Sequence, residues 1–147
     1  MGDPMLAPAA NKQVIEGFFR AINERRLDDL SQYMALDVID HNKIIFGEAD
    51  TPGAAFDGFR QQLDAFGEGV MRPDALAAEG DTVVARLTVT GTHTGYHPRM
   101  PEPTNRSCEV EQIWWFTVID GKISEIRAVS DRLGMFLQLG WPWPTAD

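Results

Sequence analysis

The feature that most restricts the fold is an alternating segment joined to a returning strand by Asp120-Gly121. From Glu109 to Ile119, the residues Val110, Gln112, Trp114, Phe116 and Val118 share one face at period two. Lys122 to Ser130 returns behind the dipeptide. Asp-Gly between such runs suits a two-residue hairpin turn, whose central residues need positive φ. A second alternating run, Thr82–His93, puts Val83, Ala85, Leu87, Val89, Gly91 and His93 on one face. The second half of the chain therefore reads as an antiparallel meander.

The first half has a different period. Val14, Ile15, Phe18, Phe19 and Ile22 form one helical stripe, and Arg25-Arg26 suits the end of that helix. Asp28 or Asp29 can cap a short second helix carrying Leu30, Tyr33 and Met34. Val38–His41 reads as a short strand, followed by a loop through Gly47 to Asp50. Thr51-Pro52 is expected to start a third helix with Phe56, Phe59, Leu63 and Phe66 on one face, stopped by Gly67. A last short helix covers Arg132 to Leu139 and ends at Gly140, because Trp141-Pro142-Trp143-Pro144 cannot continue it. Helices first and long strands after define an α+β chain. The expected architecture is a curved sheet wrapped around its helices, leaving an apolar pocket at the open end.

At 147 residues the chain is expected to form one domain over residues 11–147, with residues 1–10 a flexible N-terminal arm rich in Pro and Ala. Thirteen basic against 22 acidic residues give a net charge of −9, which argues against nucleic acid and anionic membrane surfaces as partners. The N-terminal residues lack the basic and apolar regions of a signal peptide, and the single Cys108 excludes an internal disulfide. A reducing cytoplasm is the expected location. Ile113 and Trp115 make the outer sheet face half-apolar, so a homodimer through the β-sheet is expected.

Two sets of residues carry a resemblance. One is Asp120-Gly121-Lys122-Ile123 leading to Asp131, then Gln138-Leu139-Gly140 and Pro142-Trp143-Pro144. The other is Gly91-Thr92-His93-Thr94-Gly95 with Pro101-Glu102-Pro103-Thr104-Asn105-Arg106. In order and spacing the chain resembles the SnoaL-like polyketide cyclases of the NTF2-like superfamily, over about residues 12–144. The resemblance implies an α+β cone and cofactor-free intramolecular aldol ring closure of an aromatic polyketide. It also implies that Asp131, just before the last helix, is the general acid/base. The family lines its pocket with a Gln and a His two residues apart. Gln112 matches the first, and Trp114 stands in place of the second. Asp40 corresponds to a pocket Asn of the family's first strand.

Aldol cyclisation needs a base for an activated C–H and an acid for the new alkoxide. One carboxylate serves both if an apolar pocket raises its pKa. Asp131 is the first candidate, with a helix N-cap as its competing reading. Asp40 is the second, and its neighbour His41 must point the other way along a regular strand. His93 and Gln112 are candidate partners for substrate oxygens, and Trp114 is a candidate stacking wall. Arg127, in phase with Asp131, could hold a substrate carboxylate or ester, or pair with Asp131 and lower its pKa. Tyr33 could polarise a carbonyl, and Phe59 is core and pocket wall. His93 and His97 are four apart in a Gly/Pro loop, which does not make a metal site. Rival readings on the same fold are a polyketide hydroxylase, a ketosteroid-isomerase-like enzyme and a non-catalytic small-molecule-binding module.

Overall fold

The computed structural model describes residues 7–42 and 52–142. Helix α1 spans Ala7–Asn23, so residues 7–10 of the expected arm form its first turn. A 3-10 helix follows at Leu27–Gln32, then strand β1 at Met34–Asp40. Helix α2 covers Ala54–Ala65, with Gly53 at φ 87° before its first turn. Thr51 and the expected 47–50 loop lie outside the described residues. Strands β2 (Phe66–Glu79), β3 (Thr82–His93), β4 (Ser107–Ile119) and β5 (Lys122–Ser130) precede helix α3 at Arg132–Gln138.

The five strands form one mixed sheet in the order β1-β5-β4-β3-β2, open at both edges. β1 runs parallel to β5 and every other pair is antiparallel. Asp120 and Gly121 have φ of 50° and 79°, as the hairpin reading requires. No helix among the described residues is long and apolar enough to cross a membrane.

Strand β2 was not expected, because two glycines, Pro73 and a run of alanines dilute its β-propensity. It forms nonetheless as an edge strand, where proline is tolerated. Its register shifts between Gly67 and Val70 and between Pro73 and Ala75, and Glu68 sits at φ 57° in the first irregularity. The outward edge is partly covered. Asn23, at the end of α1, donates to the Met71 carbonyl at 2.9 Å and accepts from the Met71 N–H at 2.8 Å. A side chain thus supplies the hydrogen bonds of a missing neighbour strand.

The inner sheet face closes over α1 and α2 through aromatic rings. Phe18 meets Phe19, Phe59 and Phe116 edge-on, with ring centroids 5.2, 5.3 and 5.9 Å apart. Phe18, Phe19 and Phe116 are fully buried.

Two expectations for the site change here. Tyr33 does not line the pocket described below: it follows the 3-10 helix and packs against the core, its ring directly against Gly17 of α1. A Cβ at Gly17 would overlap that ring. Gly17→Ala is therefore expected to lower stability by about 1–3 kcal/mol through overpacking. Urea titration measures this, and an unchanged midpoint would contradict the packing described.

Arg127 is the second. It is exposed on the outer face opposite Trp115, with Glu125 at 3.5 Å. The pairing runs Val118 to Ile123 and Thr117 to Glu125, leaving Ser124 unmatched. This extra residue reverses the phase of β5, so Ile126, Ala128 and Ser130 face inward and Arg127 and Val129 outward.

Candidate active site

The inward residues of β4 and β5 form the floor of a pocket at the open end of the sheet. Gln112 and Trp114 come from β4; Ile126, Ala128 and Ser130 come from β5. Phe59 and Gln62 of α2 form one wall, and Arg132, Met135 and Phe136 of α3 form another. His97, from the 94–106 loop, and Asp40, at the end of β1, complete the polar lining.

The polar groups are held rather than loose. The Trp114 indole Nε1–H donates to Gln112 Oε1 at 2.7 Å, and Gln112 Nε2 donates to Ser130 Oγ at 3.1 Å. A buried glutamine needs such partners. Its second amide hydrogen is left for another acceptor. Trp114 lines the pocket, but its ring is also offset-stacked on Phe59 and Phe116, at 5.9 and 5.7 Å. Phe59 is wall and core together, as expected.

Asp40 faces the pocket, whereas His41 turns outward and meets Glu125 at 2.7 Å. Asp40 Oδ1 accepts from the Asn42 N–H at 2.8 Å. Asn42 also lines the pocket, and its side chain bonds both the N–H and the carbonyl of Ala128. It extends the β1–β5 pairing past the end of the strand, which anchors the segment carrying Asp40.

Asp131 is not itself among the residues that line the pocket. Its neighbours Ser130 and Arg132 line the pocket, while its own side chain is exposed. Oδ1 accepts from the Gly134 N–H at 2.9 Å, capping α3. A Cβ at residue 134 would overlap this carboxylate, so the glycine leaves room for it. The structure thus contains the cap, while Oδ2 has no partner among the described residues.

His93 lies on the predicted inward face but behind the pocket. It is fully buried against Phe66, and its Nδ1 accepts from the Thr104 N–H at 3.2 Å. It is not part of the pocket lining, because the Phe66 ring and the 94–106 loop stand in front of it. The histidine that reaches the pocket is His97, which the sequence pattern offered only as a metal partner. Its Nδ1 accepts from the Arg99 N–H at 3.0 Å, so in the neutral ring the proton sits on Nε2.

Burial, then the nearby His93, Arg99 and Arg132, push the His97 pKa from its ordinary 6.5 down to about 4. Between these values the unfolded chain binds a proton that the folded chain refuses. Stability is then full above pH 6.5 and falls as pH drops toward 4. Melting temperature against pH should show this slope in the wild type. The slope should be reduced in His97→Gln; the same slope in both proteins would contradict the assignment. Cys108 is buried, and burial pushes its thiol upward, which suits a structural residue rather than a nucleophile.

A mixed sheet curled over helices, with held polar groups converging in an aromatic pocket, defines an α+β cone built for a small molecule. The family model for the SnoaL-like polyketide cyclases matches residues 12–139. The chain belongs to that family. It is 31% identical over 140 residues to the aklanonic acid methyl ester cyclase DnrD of Streptomyces peucetius, covering 91% of this chain and 93% of that one. It is 32% identical over 125 residues to the nogalonic acid methyl ester cyclase of Streptomyces nogalater, covering 84% and 92%. Among solved structures, TsrD from Streptomyces laurentii superposes with a TM-score of 0.81 at 25% identity, covering 91% of this chain and 97% of that one.

Proposed function

We propose that the chain closes a ring in an aromatic polyketide methyl ester by intramolecular aldol chemistry. Its family is that of the polyketide cyclases, and two relatives are named as cyclases of aklanonic acid methyl ester and of nogalonic acid methyl ester. The observation that supports this best is the pocket: aromatic walls for a flat ring system, the held amide of Gln112 for a carbonyl oxygen, the Asp40 carboxylate in the lining, and Asp131 between the lining residues Ser130 and Arg132.

Asp131 is the acid/base in this reading. Its cap bond fixes one oxygen, and the other is left to take a proton from carbon. The C–H bond between the activating carbonyls breaks, and its electron pair becomes the enolate. The enolate carbon bonds to a carbonyl carbon of the same molecule. The carboxylic acid then returns its proton to the new alkoxide, so the carboxylate is regenerated. The pocket holds the reacting ends together, which favours one closure over others. A second reading, favoured by Asp40 lining the pocket, gives the proton transfers to Asp40 and leaves Asp131 as a cap.

The test is incubation of a tricyclic anthraquinone ester bearing an activated methylene side chain, with product mass as the readout. A product isomeric with the substrate, or lighter by one water, is expected. A gain of one oxygen would replace this reading with hydroxylation. Binding without conversion would replace it with a binding module.

The outer face of the sheet exposes Ile113 (39%), Trp115 (52%) and Val129 (74%). A second copy of the chain covers this face in our reading. A light-scattering mass of one protomer at micromolar concentration would contradict it.

A further inference from the structure

We propose that Arg132 is a catalytic residue of this pocket, holding the enolate oxygen as negative charge forms there. The inference rests on the aldol reading above and assigns a group to a charge that reading leaves unmatched.

Among the described residues Arg132 is the only cation lining the pocket, in a chain whose net charge is −9. It forms no hydrogen bond or ion pair with any described residue. Arg26 and Arg72, by contrast, hold carboxylates at 2.6–2.8 Å. It is half-buried, and burial lowers its pKa, so its guanidinium has given up water without gaining a protein partner. An unpaired, half-buried guanidinium is suited to hold an anionic oxygen, because a charge-assisted hydrogen bond gains as a bound ligand displaces the remaining water.

The other titratable side chains lining the pocket do not compensate the enolate. Asp40 is acidic, and His97 stays neutral near pH 7. Asp131 precedes Arg132 in the chain, so the proposed base is the immediate neighbour of the cation. Removing the proton makes Asp131 neutral and the substrate negative. The positive charge of Arg132 then faces the new anion, and bond formation moves that charge to the alkoxide, which takes the proton back. No charge is left over at the end.

The test uses benzoylacetone, a 1,3-diketone whose enolate absorbs at longer wavelength than its enol. It has no second carbonyl chain to close upon, so it reports enolate stabilisation without turnover. Its spectrum is titrated against pH while bound to wild type, Arg132→Gln and Arg132→Lys. The bound enolate in the wild type should have a pKa at least about one unit below that in the Gln variant, an approximately tenfold difference in enolate fraction on the acid side. Arg132→Lys, which keeps the charge, should retain most of this difference. Equal pKa values in wild type and Arg132→Gln would overturn the proposal, as would failure of the wild type to bind the diketone. If the wild type cyclises the ester while the diketone titrates alike in wild type and Arg132→Gln, the oxyanion role falls and the cyclase reading stands. If the wild type does not cyclise the ester but the enolate difference is present, the cyclase reading falls and Arg132 remains an enolate-binding group.

Discussion

Asp131→Asn is expected to lower kcat by about 10²- to 10⁴-fold while leaving substrate affinity nearly unchanged, the range associated with loss of a general acid/base. Asparagine is the informative replacement. Its side-chain oxygen can still accept from the Gly134 N–H, so the cap of α3 survives. The two roles of the residue are thereby separated: the cap is kept and the proton transfer is removed. An unchanged melting temperature with lost turnover supports the acid/base role. Full activity would reduce Asp131 to a cap. Asp40→Asn is the companion variant. Asp40 lines the pocket, so it should alter KM, but on this account it leaves kcat within about tenfold, short of the loss expected for a general acid/base. A reversed pattern, with kcat lost in Asp40→Asn, would transfer the chemistry to β1.

Phe18→Ala is expected to destabilise the fold by about 3–5 kcal/mol, the usual range for truncating a buried phenylalanine. Phe18 is fully buried and meets three other rings edge-on, one from α1, one from α2 and one from β4. Its loss removes apolar area and leaves a hole that Phe19 and Phe116, themselves fully buried, cannot collapse into. Phe59, which also walls the pocket, loses its edge contact with Phe18. A chemical denaturation midpoint should therefore fall sharply, and residual activity at low temperature should fall through KM. A loss below about 1 kcal/mol would mean that the core is not centred on this ring.

Alternation made β3 and β4 readable, because each has one buried face and period two is unambiguous there, and β5 followed as the strand that returns from the turn. Asp120-Gly121 fixed the turn for the same local reason. Strand β2 was invisible because its glycines, proline and alanines have little β preference alone; pairing with β3 holds it. Within the site, Gln112, Trp114, Asp40 and Phe59 were legible because their faces follow from strand or helix period. Arg127 was misread because the unmatched Ser124 reverses the phase of β5, and nothing local announces such a bulge. Nothing in the sequence pattern marks His97, Asn42 and Arg132 as pocket residues. Each stands on a loop, past a strand end or in a first helical turn, where no periodicity says which way a side chain points. His93 was assigned the correct face, but Phe66 and the following loop decide what that face meets.

The most direct test of a carboxylate that takes a proton from carbon is solvent exchange at that carbon. An ester analogue lacking the acceptor carbonyl cannot cyclise, so in deuterium oxide only proton removal and return are visible. Proton NMR of the activated methylene would be followed with wild type, Asp131→Asn and Asp40→Asn. The account predicts enzyme-dependent loss of the methylene signal with wild type and Asp40→Asn, and none above background with Asp131→Asn. Exchange that persists in Asp131→Asn and disappears in Asp40→Asn would contradict it.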